Sequence, residues 1–131
     1  MNLNQVTVAV TNISQSISFY QTLGLRLIVH TNDHYARFEC PGGDATFSLH
    51  KVDSMQIGGT WTYFEVPNVD QKVAELTAAG IKVEEQPEDK SWLWRESRVT
   101  DLDGNQIIIY HAGENRKNPP WRMGDAKKPS S

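Results

Sequence analysis

Hydrophobic positions fall into two rhythms that occur twice along the chain. Residues 5–10 alternate, Val6, Val8 and Val10 against Gln5, Thr7 and Ala9, which is the period of a half-buried strand. Ile13, Ile17, Tyr20 and Leu23 then recur at helical spacing. Strands are predicted next over 25–30, 35–40 and 45–51, the last two joined by the turn Pro41-Gly-Gly-Asp44. The second round has a strand over 60–66 and an apolar helical stripe at Val69, Val73 and Leu76. A weak strand follows over 82–85, then strands over 92–100 and 106–111, the last entered through Asp101-Leu-Asp-Gly-Asn105. The order β-α-β-β-β therefore occurs twice.

A shift of 56 lays Val10 to Leu25 on Val66 to Ile81 without a gap. Asn12 meets Asn68, Gln15 meets Gln71, and Gly24 meets Gly80. Each match has a structural meaning. The asparagines suit helix N-caps, and the glycines suit left-handed residues just past the helix ends. Neither half is large enough to cover its own sheet, so the two are expected to share one core. The expected fold is α+β, with two βαβββ modules forming a curled mixed sheet around one cleft. Residues 1–112 form the domain, with modules over 3–51 and 59–112, and 113–131 form a partly disordered C-terminal extension.

At 131 residues there is room for a single core. No apolar run reaches the ~20 residues of a membrane-spanning helix, and the first residues lack the pattern of an export signal. Cys40 is the sole cysteine, so no internal disulfide forms and a cytoplasmic location is expected. Net charge is −3 and unevenly spread. From Gly113 onward five basic residues face two acidic ones, leaving eight basic and fourteen acidic groups, or −6, in the body. That acidic body disfavours nucleic acid, which is bound through phosphate neutralisation. Residues 126–131 have no apolar anchor and are expected to be solvated. Asn118-Pro-Pro-Trp121 enforces an extended path, and Trp121 is expected to pack across the mouth of the cup or onto a second subunit.

Val10-Thr-Asn12 leading to Phe19-Tyr20 and Leu23-Gly24-Leu25, together with Asp101-Leu-Asp-Gly-Asn-Gln-Ile107, resembles the vicinal oxygen chelate superfamily. That family includes glyoxalase I, extradiol dioxygenases, and fosfomycin- and bleomycin-resistance proteins. The resemblance covers about residues 3–112, and departs where Leu102 stands in place of the family's usual proline. It implies a homodimer. In metal-dependent members four inward side chains hold a divalent ion. Carried over residue by residue, those positions fall on Gln5, Ser48, Trp61 and Ile108. Trp and Ile offer no donor, and Gln and Ser are poor ones. No metal ligand and no cofactor are therefore expected. His50, Glu39, Glu65 and Glu96 are the donors from which a displaced site would have to be built, and none has ligand spacing.

Alternation gives the cleft its lining. Trp61, Tyr63, Trp94, Ile108 and Tyr110 are expected there with Gln5, Ser48, His50, Glu65, Glu96 and Arg98. Trp92 falls on the same side, packing or lining, while Arg95 falls awkwardly on the helix side. Arg98 and Glu96, two apart on one face, either pair with each other or orient a ligand. Aromatic walls with a few polar groups suit a small organic molecule. Three readings follow. The chain is a metal-independent small-molecule-binding protein. Alternatively it is a lyase, isomerase or dioxygenase with a displaced metal or a catalytic His50–Glu96 acid–base pair. Alternatively it is a non-catalytic interaction module. Neither nucleic acid nor membrane is an expected partner.

Overall fold

A computed structural model describes residues 2–55 and 59–123. The first half runs β1 (Gln5–Val10), α1 (Ile13–Leu23), β2 (Arg26–Thr31), β3 (Tyr35–Glu39) and β4 (Thr46–Lys51). The second runs β5 (Trp61–Glu65), α2 (Val69–Ala78), β6 (Val83–Asp89), β7 (Arg95–Thr100) and β8 (Gln106–His111). A 3₁₀ turn over Gly113–Arg116 follows. Each half makes its own four-stranded mixed sheet, in the orders β1-β4-β3-β2 and β5-β8-β7-β6. In each sheet the first strand runs parallel to the last, β1 with β4 and β5 with β8, and the remaining pairs are antiparallel.

The duplication is visible in the backbone. Asn12 and Asn68 cap their helices at φ/ψ of −139/106 and −139/104, and their side chains accept the Gln15 and Gln71 amides at 2.9 and 3.0 Å. Gly24 takes φ +117 at the end of α1, and Gly80 takes φ +89 one residue past the cap of α2. The asparagines are 56 positions apart (68 − 12), but Tyr35 and Arg95, which open β3 and β7, are 60 apart (95 − 35). Four extra residues thus lie between the helix cap and the third strand of the second half, two of them in the β6–β7 connection, which runs over 90–94 where β2 and β3 are joined by 32–34. The predicted strand over 92–100 begins only at Arg95. Trp92 sits in the turn before it, where the Leu93 amide donates to the Lys90 carbonyl at 3.0 Å. The weak strand over 82–85 is in fact β6, seven residues long, and Pro87 is tolerated because β6 is an edge strand.

Both sheets turn their helix-side faces to one shared core. Val8, Val10, Tyr20, Phe38, Phe47 and Leu49 from the first half join Val69, Leu76, Val99, Ile107 and Ile109 from the second. The Phe47 and Phe64 rings, 5.7 Å apart, join the sheets across it. Asp101 and Asn105 clasp the halves together. The Tyr20 hydroxyl donates to Asp101 at 2.7 Å, and the Asn105 amide donates to both Asp101 and the Ala9 carbonyl at 2.8 Å. The Asn105 side-chain oxygen accepts the Thr60 amide at 3.0 Å. Burial, reinforced by the facing Asp101 carboxylate, pushes the Tyr20 hydroxyl far above its usual pKa, so it stays a donor. Arg95 is awkward only by pattern. It reaches Asp70 in the first turn of α2 with two bonds of 2.7 and 2.8 Å, and Asp89 at 3.0 Å. Among the described residues no helix is long and apolar enough to cross a membrane. Residues 124–131, which include the end expected to be solvated, lie outside those described.

Candidate functional site

Opposite the core, the two sheets carry different surfaces. On the first, Gln5 Nε2 donates to Ser48 Oγ at 2.7 Å, and Ser48 shares a 2.7 Å bond with the Tyr35 hydroxyl. Arg37 Nε donates to that same hydroxyl at 2.8 Å, and Thr46 bonds Gln5 Oε1. Although burial works against it, hydrogen bonding to Ser48 and Arg37 and the Arg37 charge leave the Tyr35 pKa below its ordinary value. Ser48 is fully buried beneath these groups. The polar groups at the centre of this face thus satisfy one another.

The equivalent positions on the second sheet are walls. Trp61 stands where Gln5 does (61 − 5 = 56), and Ile108 where Ser48 does (108 − 48 = 60). Together with Tyr63, Trp92 and Trp94 they line an open pocket of about 550 Å³, whose polar groups are Glu85, Lys90, Glu96 and Arg98. Trp94 stacks on Tyr110 at 4.7 Å, and the Tyr63 ring meets both edge-on at 6.2 and 5.8 Å. Such offset and edge-to-face contacts hold the rings firmly. Trp61, Tyr63 and Trp92 remain about half exposed at the rim, at 55%, 50% and 43%.

Glu65 and Tyr110 lie on this face but beside the cavity. Glu65 Oε2 accepts the Ala112 and Gly113 amides at 2.8 and 3.0 Å, and Trp94 Nε1 donates to the Asn115 carbonyl at 3.3 Å. The residues after β8 are thereby strapped across the Trp94–Tyr110 stack. Partial burial pushes the Glu65 pKa up. The two amides, with His111 and Arg116 nearby, outweigh it and bring the pKa below the usual value. The Tyr110 pKa is raised, first by burial and then by the Glu65 charge.

Six of the expected lining residues, Trp61, Tyr63, Trp94, Glu96, Arg98 and Ile108, come together around the cavity. Gln5, Ser48 and His50 do not join them, because they belong to the first sheet, whose free face is turned away from the shared core. His50 and Glu96 are therefore not an acid–base pair within the chain: His50 is exposed beside Ala9 and Tyr35, while Glu96 accepts the Trp92 indole N–H at 2.8 Å. Nor do Arg98 and Glu96 pair. Arg98 donates to Gln106 Oε1 at 2.6 Å and reaches Glu85 at 3.4 Å. Trp121 is 57% exposed and does not bury across the cavity. Glu85 was missed as lining because the sequence VEEQPED of β6 shows almost no alternation, and Lys90 because it lies in the connection after β6, where no alternation applies. Tyr35 and Arg37 could have been found, since they alternate with the core residues Ala36 and Phe38.

The residues present do not fit a divalent ion at the positions metal-dependent relatives use. Gln5 and Ser48 are hydrogen-bonded to each other, and Trp61 and Ile108 bring no donor. Glu39 is paired with Arg26 at 3.0 Å and Glu65 with backbone amides. Among the described residues no three His, Cys, Asp or Glu side chains gather as a ligand set.

Two βαβββ halves around a common core, each with its own four-stranded mixed sheet and one bearing a ring-walled pocket, define the class of α+β protein anticipated above, although within the chain the sheets do not curl around one shared cleft. The chain belongs to the Glyoxalase/Bleomycin resistance protein/Dioxygenase superfamily, whose profile matches residues 2–109. An uncharacterized protein of Mycolicibacterium smegmatis is 29% identical over 109 residues, covering 82% of this chain and 91% of its own. Among solved structures, a glyoxalase/bleomycin resistance protein/dioxygenase from Nocardioides superposes with a TM-score of 0.75 at 20% identity, covering 95% of this chain and 90% of that one. A lactoylglutathione lyase from Agrobacterium tumefaciens gives 0.73 at 16%, covering 84% and 92%. TioX from Micromonospora sp. ML1 gives 0.69 at 20%, covering 86% and 99%. At these identities the structural likenesses speak for the fold.

Proposed function

We propose that this protein binds a small organic molecule in the ring-walled pocket of its second half, without a divalent ion. The observation that carries the reading is the cavity of about 550 Å³, within the range typical of small-molecule sites, built where Trp61 and Ile108 replace metal-ligand positions. Indole and phenol rings bury large flat areas of a ligand at small entropic cost. A homodimer, implied by the family, would set a second copy against the open rim. The half-buried free Cys40 suits the reducing cytoplasm.

The test is a thermal-shift screen of chelator-treated protein against planar aromatic compounds. Binders should raise the melting temperature with the logarithm of ligand excess and be recovered unchanged. Trp94→Ala should remove the shift. Stabilisation only after adding manganese, nickel, iron or zinc would contradict the metal-free reading. A screen without any binder would leave an interaction module as the better account.

A further inference from the structure

The charges around the pocket do not all cancel. Arg98 is taken by Glu85 at 3.4 Å and by the Gln106 amide oxygen at 2.6 Å. Lys90 is taken by Glu88 at 3.4 Å, with its ammonium 5.9 Å from the centroid of the Trp92 ring. Glu96 is left over. Among the described residues no lysine, arginine or histidine stands within ion-pair distance of it, and its one hydrogen-bond donor is the neutral Trp92 indole at 2.8 Å. Its neighbours across the sheet are Tyr110 on β8 and a second carboxylate, Glu88, on β6. A half-buried carboxylate is thus held among rings without a counterion. Such a group is free to pair with a positive charge that enters the pocket.

The rings favour the same kind of guest. The face of an indole or phenol ring is its negative side, and a cation set over it is attracted, the more so when water is excluded. Trp61, Tyr63, Trp92 and Trp94 surround the space that Glu96 lines. We infer that the ligand is a flat aromatic cation, a quaternised or protonated nitrogen heterocycle, whose charge meets Glu96 and whose ring meets the indoles. An anion is disfavoured because both cationic side chains at the pocket already hold carboxylates. The inference rests on the small-molecule reading above and adds the sign of the ligand's charge.

Three probes of similar shape separate the two claims: N-methylquinolinium, quinoline and 1-naphthoate. They are titrated calorimetrically into the full chain at pH 8, where quinoline is neutral. N-methylquinolinium should bind about ten-fold tighter than either of the others. Glu96→Gln keeps an oxygen for the Trp92 indole but loses the charge. It should weaken N-methylquinolinium about ten-fold and leave quinoline within about two-fold. Lys90→Ala removes a nearby positive charge and should act the other way, strengthening the cation by about two- to three-fold. Equal affinities for the three probes, tightest binding of 1-naphthoate, or Glu96→Gln and Lys90→Ala both without effect would overturn the cationic ligand while leaving the binding reading intact. If quinoline and the two ions all fail to bind, both claims fall.

Discussion

Gln5 and Trp61 occupy equivalent positions, as do Ser48 and Ile108, and this pairing shows how single residues separate the two halves. The polar pair bonds across its sheet, whereas the large apolar pair lines the pocket on the other. Cutting the Gln5–Ser48 bond with Ser48→Ala leaves the Tyr35 hydroxyl and the Gln5 amide each short of a partner. It should cost about 1–2 kcal/mol in urea melts. Glu65 carries a pH dependence. Its folded pKa is lowered, so the stability it lends is fully present above the ordinary carboxylate value and is lost as pH falls through the depressed one. Its side chain is 33% exposed, so screening keeps the effect to about 0.5–1 kcal/mol. Melts from pH 7 to 3 should show Glu65→Gln less stable than wild type at neutral pH, with the gap closing in acid. A constant gap would mean that the amide contacts, rather than the charge, hold the strap. Most of this pocket was legible because alternation alone sorts Trp61, Tyr63 and Ile108 from the core residues between them. Glu65's attachment to Ala112 and Gly113 was not, because a carboxylate that anchors the chain reads no differently from one that awaits a ligand.

At the scale of elements, the connection between β6 and β7 sets the second half apart. Its extra residues carry Lys90 and Trp92 to the pocket edge, and its tight turn forces Leu93 to φ +68 with the side chain 47% exposed. A left-handed leucine costs about 1 kcal/mol, against a similar loss of chain entropy for glycine. Leu93→Gly should therefore be neutral to about 1 kcal/mol stabilising. A loss of more than about 1 kcal/mol would show that this side chain packs in solution. Gly59 is the opposite case: at φ +55 an added Cβ would lie 2.8 Å from the Gly104 carbonyl oxygen. Gly59→Ala should cost about 2–3 kcal/mol by thermal melting. Trp92-Leu-Trp94 reads in sequence as the start of an apolar strand. Nothing in a leucine announces a left-handed turn, which is why β7 was expected three residues too early. The helices were legible to within a residue because caps, stripes and glycines agreed in both copies.

Across the whole molecule, the halves are joined by their helix-side faces and by the Asp101–Asn105 clasp. Asn105 is fully buried and bonds Asp101, Ala9 and Thr60, so Asn105→Ala should cost about 2–4 kcal/mol and loosen both halves together. Two separate unfolding transitions in wild type would contradict that single core. The duplication was legible because a repeat is a local pattern read twice. Which faces the copies turn to each other was not, because alternation assigns residues to two sides of a sheet without saying where the other sheet lies. Hence the acid–base pair of His50 and Glu96, one of the alternatives the sequence left open, falls on the free faces of two different sheets within the chain. The most direct test follows the indole N–H signals of the four tryptophans by NMR as N-methylquinolinium is added to chelator-treated protein. The signals of Trp61, Trp92 and Trp94 should move together and saturate, with Trp121 unmoved. A response confined to Trp121, or movement of the three only after a divalent metal is restored, would contradict a metal-free pocket on the second half.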